Sequence, residues 1–152
     1  MKSLISIIIL SIILTNCGFN PIYSSKNSNF EIIEISNKNE NKNSFSIERL
    51  IKSLSNQDAK RKVKLEMNYK QSVMTILKDN KGDPAKKKLS INVNLIVKNE
   101  KNNVLVNKTF NEEFSYDVQS DKFNMAQYVD NITENLNTKI SNDIIFLLGT
   151  LK

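Results

Sequence analysis

A chain of 152 residues with 39% hydrophobic and 25% charged side chains is long enough to bury the core of one globular domain without disulfides. Its formal charge is +6, from 22 Lys and Arg against 16 Asp and Glu, but the cations are scattered among acids along most of the chain, so no nucleic-acid partner is expected. With no histidine and one cysteine, the usual general bases, thiol–imidazole pairs and zinc ligand sets are missing, and neither enzymatic activity, nor a metal, nor a dissociable cofactor is expected.

Met1-Lys2-Ser3 forms a short positive start, and Leu4 through Leu14 reads LISIIILSIIL, an apolar run of signal-peptide length. As a helix it would rise roughly 16 Å against a hydrocarbon core of about 30 Å, too little to span. It ends at Leu14-Thr15-Asn16-Cys17-Gly18, a seam similar to the bacterial lipobox. That resemblance implies that Cys17 becomes the first mature residue, thioether-linked to a diacylglycerol and acylated on its amine; the alternative is an inert cysteine just past an ordinary cleavage site. Three acyl chains, at about 0.8 kcal/mol per buried methylene, would hold a protein at a bilayer almost permanently. Gly18, where inner-membrane lipoproteins tend to carry Asp, implies the outer membrane. The organisation expected is a signal peptide over 1–16, a lipidated tether over 17–29 and a single domain over 30–152.

Phe30 to Ile35 is a β-branched run that predicts a first strand. The polar stretch 37–44 predicts a loop. Ile47, Leu50, Ile51 and Leu54 recur at helical spacing, with Ser44 or Ser46 as N-cap and Glu48 in the first turn. Residues 63–77 alternate, with Val63, Leu65, Met67, Tyr69, Val73 and Leu77 on one face; Leu89, Ile91, Val93, Leu95 and Val97 do the same. A third alternating stretch carries Val104, Val106, Phe110, Phe114, Tyr116 and Val118, interrupted by Lys108 and Glu112. Residues 98–103 fit a hairpin turn and 79–87 a longer loop. Ser120 or Asp121 then caps a helix of about 25 residues with Tyr128, Val129, Ile132, Leu136, Ile140, Ile144, Leu147 and Leu148 along one face.

The order is β-α-β-β-β-α, with strands apolar on one face only. Two helices cover that face, which predicts a two-layer α/β (α+β) sandwich with a four-stranded mixed sheet. The other sheet face, rich in Asn, Lys and Glu, must meet water or a wet partner.

The opening Cys17-Gly18-Phe19-Asn20-Pro21-Ile22-Tyr23 and the segment FSYDVQSDKFNMAQYVDNITENL resemble the lipopolysaccharide (LPS)-assembly lipoprotein family, LptE, of the alphaproteobacterial type. The resemblance implies a lipid-anchored, periplasm-facing outer-membrane protein. It would partner and plug the β-barrel LPS-assembly protein (LptD-like) and contact LPS on its way to the cell surface. A hydrophilic sheet face suits the wet lumen of such a barrel. The alternative is an auxiliary lipoprotein of another envelope lipid-transport system.

The stretch 78–88, at the tip of two strands, concentrates five lysines, Lys78, Lys81, Lys86, Lys87 and Lys88, which would attract lipid phosphates as point charges without the bidentate fork of arginine; the plainer reading is a solvated turn. Phe110, Phe114, Tyr116 and Phe123 read as core, with acyl-chain contact as the alternative. Glu112 and Glu113 are neighbours on a strand, hence on opposite faces, and do not form a catalytic pair.

Overall fold

The computed structural model describes residues 28–151; the signal segment, Cys17 and most of the expected tether lie outside the described residues. Six elements follow in the expected order: β1 (Phe30–Asn37), α1 (Lys42–Ser53), β2 (Arg61–Lys78), β3 (Pro84–Asn99), β4 (Val104–Asp117) and α2 (Lys122–Thr150). The strands lie side by side as β1-β2-β3-β4. β1 runs parallel to β2 and needs α1 as its crossover, whereas β2, β3 and β4 form an antiparallel meander. This is an α+β fold with both helices on one face of a mixed sheet.

Strand parity builds the core. Val63, Leu65, Met67 and Tyr69 of β2 and Leu89, Ile91, Val93, Leu95 and Val97 of β3 are all buried, and they meet Ile47 and Ile51 of α1 and Ile132, Leu136, Ile140, Ile144 and Leu148 of α2. Each such side chain removed from water contributes about 1.5–3 kcal/mol. The alternate residues carry Glu66 against Lys98, Asn94 against Asn107 and Thr109, and Lys88 against Glu113 across the open face.

Two boundaries differ from expectation. α1 is capped by Asn41, not by Ser44 or Ser46: Asn41 Oδ1 accepts from the N–H of Asn43 at 3.0 Å and of Ser44 at 2.9 Å, while Ser44 Oγ accepts from the N–H of Asn41 at 3.0 Å. Ser44 is thus the third helical residue of a capping box, and the helix starts inside the stretch expected to be loop. At the other end β3 begins at Pro84, inside the expected loop, leaving a tight turn in which the Asp79 N–H donates to the Asp83 carbonyl at 2.8 Å and Gly82 takes φ +89°. Lys86, Lys87 and Lys88 are therefore strand residues. Asp121 caps α2 as expected, accepting from the N–H of Phe123 and Asn124.

The sheet outgrows its cover. β2 has 18 residues, roughly 60 Å at 3.3 Å per residue; α1 has 12 and α2 has 29, about 18 and 43 Å. Both helices cover the proximal end, where β1 begins and where Asn29 Nδ2 donates to the Gly149 carbonyl at 3.0 Å and the Arg61 guanidinium to that of Leu148. The distal end, toward the Asp79–Asp83 turn, has α2 alone. This corrects the expected burial of several apolar residues. Val73 and Phe114 (41% exposed) lie on the helix side where no second helix reaches, Leu77 and Val104 pair after register shifts with Lys86 and Lys98 and so fall on the open face, and Phe123 at the start of α2 is 71% exposed, with Leu50, Val118 and Tyr128 also open to solvent. Phe110 and Tyr116 are core residues as expected.

Candidate functional site

The distal end gathers the lysines singled out in the sequence, but not as one equivalent cluster. Lys86 Nζ lies 3.5 Å from Asp117 Oδ1 and Lys88 Nζ 3.0 Å from Glu113 Oε2, both across the β3–β4 ladder on the open face. The Lys88 ammonium, helped by the Ser90 hydroxyl that donates to Glu113 Oε1 at 3.0 Å, holds the Glu113 carboxyl below the usual carboxylate range. Lys78 ends β2 and Lys81 sits in the turn. Among the described residues, no carboxylate lies within 4.0 Å of the Lys78, Lys81 or Lys87 ammonium.

Lys87 pairs in register with Tyr116 and so faces the helix side. There it borders a recess of about 820 Å³ between the distal hairpin and the first turns of α2, floored by Tyr116, Val118, Met125 and Val129 and rimmed by Lys87, Lys122, Asp83 and Asp130. An apolar floor beside two ammonium groups suits an anionic amphiphile. The N-terminus of α2 is not itself free for an anion: Asp121 occupies it, also accepting from Asn124 Nδ2 at 2.7 Å. The recess has no signature in the sequence, because Lys87, Tyr116 and Met125 meet only through tertiary packing. Tyr116 is fixed edge-on against Tyr128, ring centroids 6.4 Å apart at 85°, and burial raises its hydroxyl pKa.

Glu112 and Glu113 do point apart. Glu112 reaches Lys139 of α2 at 2.8 Å and raises the lysine's pKa, while Glu113 takes Lys88 and Ser90. Lys108 Nζ sits 5.0 Å from the Phe110 ring centroid, which explains a cation on the apolar side of β4. Among the described residues no cluster of three or more His, Cys, Asp or Glu is placed to hold a metal ion, and no helix is long and apolar enough to cross a membrane.

No family profile matches the chain, and no curated protein matches it in sequence. Its fold does match solved structures. A solution structure of lipoprotein B from Nitrosomonas europaea is similar over 87% of this chain and 90% of its own, with 11% identity and a TM-score of 0.61. A minor lipoprotein from Acinetobacter baumannii is similar over 84% and 92%, at 9% identity and a TM-score of 0.59. The rare lipoprotein B of Shewanella oneidensis covers 77% and is covered over 91%, at 14% identity and a TM-score of 0.58. The chain has the fold of these lipoproteins. At such identities the likeness extends to the backbone and not to individual side chains.

Proposed function

We propose that this chain is an outer-membrane lipoprotein of the LptE type, anchored through a lipidated Cys17. In this reading it acts without catalysis as partner and plug of the β-barrel LPS-assembly protein and assists LPS insertion at the cell surface. The observation that carries the reading is the likeness over nearly the whole length of proteins named lipoprotein B and minor lipoprotein. It joins the lipobox-like seam at Cys17 and the CGFNPIY opening. Two features of the molecule support it. Outside its distal end, where Met74 is exposed, the open sheet face is a lattice of amides and paired charges, chemistry that suits a water-filled barrel lumen. The distal recess sets Lys87 and Lys122, beside Asp83 and Asp130, around an apolar floor, and the two ammonium groups are where a lipid phosphate would make contact.

The test is co-purification. The tagged chain is extracted from membranes in mild detergent, and whatever accompanies it in near-equal amount is identified. A large outer-membrane β-barrel is the expected partner. Recovery of inner-membrane or periplasmic transport components instead overturns the reading in favour of an auxiliary lipoprotein.

A further inference from the structure

β1 covers one edge of β2 only in part. Its pairing ends with Asn37 opposite Met67. The Lys38 N–H then donates to the Met67 carbonyl at 2.9 Å, and the Asn39 side-chain amide to the Tyr69 carbonyl at 3.2 Å, before the chain turns away into α1. Beyond Tyr69, no described strand pairs with β2 on that side.

The direction of the free backbone groups follows from these two bonds. In an antiparallel ladder the N–H and C=O of one residue point to the same side, and the side alternates along the strand. Met67 and Tyr69 point away from β3, and the β2–β3 register is regular through Thr75. Gln71, Val73 and Thr75 therefore aim their N–H and C=O groups outward. Edge strands are normally blunted by charged side chains, proline or a bulge; here Lys70 and Lys78 only bracket the stretch, Gln71–Thr75 contains neither charge nor proline, and the register shifts come only after Thr75. The flanking side chains are apolar and open to solvent: Val73 is 48%, Met74 58% and Leu77 57% exposed.

We propose that Gln71–Thr75 is a docking edge for an extended acidic segment of another protein, which adds a fifth strand to the sheet. Charge selects this occupant. From Lys70 to Lys88 the chain carries six lysines against two aspartates, and Lys70 and Lys78, which bracket the edge, have no carboxylate within ion-pair distance among the described residues. A second copy pairing edge to edge would bring the same lysines together, which is unfavourable. A lipid surface leaves the outward amides without partners. The inference stands apart from the LPS-barrel reading and holds for any envelope partner that presents such a segment.

The probe is a capped nine-residue peptide alternating valine and glutamate, added to the ¹⁵N-labelled full chain in detergent. Amide exchange at Gln71, Val73 and Thr75 is expected to slow at least tenfold, and a valine–lysine peptide of equal length is expected to leave it unchanged. Val73→Pro removes one outward donor at a position where an edge tolerates proline, and should weaken peptide binding at least tenfold with the far-UV spectrum intact. Where that variant fails to fold, the Lys70→Glu, Lys78→Glu pair serves instead, and it should transfer binding from the acidic to the basic peptide. Unchanged exchange with the acidic peptide, or equal slowing by the basic one, overturns the proposal. Slowing that grows with protein concentration alone assigns the edge to a second copy, and slowing by micelles alone assigns it to lipid; both also overturn it.

Discussion

Tyr69→Phe tests how the two helices are fixed to the sheet. Tyr69 is only 2% exposed and is the last β2 residue before the open edge. Its hydroxyl lies 3.1 Å from Gln71 Oε1 and 3.4 Å from Asn137 Oδ1, while buried Asn137 donates to Ser46 Oγ at 3.3 Å and to the Asn43 carbonyl at 3.5 Å. One chain of polar contacts therefore joins β2, α1 and α2. The substitution keeps the ring and deletes a hydroxyl that donates one proton, so at neutral pH it should cost about 1 kcal/mol, or a fall of roughly 2–4 °C in Tm for a domain of this size. The pH dependence is more telling. Burial pushes the Tyr69 hydroxyl up to about 12 from 10.0, with the Asn137 contact opposing the shift. The unfolded chain thus loses this proton first, binds fewer protons than the folded one above pH 10, and the folded state loses stability as pH rises from 10 towards 12. Below pH 10 this contribution is fully present. Tyr69→Phe lacks it, so urea midpoints measured at pH 7.5, 9 and 11 should show the variant weaker at the first two and level with or above the native chain at the third. Tyr116 and Lys139 also have raised pKa values, so the variant keeps part of the alkaline decline. Two parallel pH curves would refute the reasoning, because they would mean that Tyr69 titrates alike in both states.

Ile140 is fully buried between α2 and the sheet, and Ile140→Ala should cost about 2–5 kcal/mol by urea denaturation, well above the tyrosine variant; a loss under 1 kcal/mol would place the residue at a site that collapses freely. Gly82→Ala meets no atom within 4 Å but must adopt φ +89°, so its expected cost of about 1–2 kcal/mol is conformational alone, and native stability would show that the turn relaxes to another form. Cys17→Ser should remove the chain from the detergent-extracted outer-membrane fraction, and unaltered fractionation would assign anchoring to another feature. Lys87→Gln should weaken binding to LPS more than Lys86→Gln or Lys88→Gln, and in a salt-sensitive way, since only the latter two ammonium groups already have carboxylate partners; equal losses for all three would show that the ion pairs do not matter.

Element order, the sandwich and most of the core were readable from periodicity because Val63 to Tyr69 and Leu89 to Val97 alternate without a break. The start of α1 was not, since Asn41 and Ser44 both favour caps and the choice rests on reciprocal bonds that only the folded backbone reveals. The lysines were readable as residues and not as a site. Lys86, Lys87 and Lys88 are consecutive in sequence, yet the pleat sends the middle one to the recess and the outer two to carboxylates on β4, partners that lie 31 and 25 residues away.

The exposed distal residues carry a more general lesson about alternation. Parity states which side of a sheet a residue faces; it does not state that anything lies over that side. Val73 and Phe114 share the face of Leu89 in one cross-strand row, and Leu89 alone is buried. The shortfall follows from lengths already present in the sequence, because a strand advances about 3.3 Å per residue and a helix 1.5 Å. A 12-residue crossover helix cannot roof an 18-residue strand. The uncovered remainder is the part of the molecule that is apolar, basic and open along its backbone, and it lies at the end of the sheet opposite to the one where β1, and with it the expected lipid tether, enters. A partner that covers this end must therefore reach the protein far from the start of β1, at a point set by the length of β2.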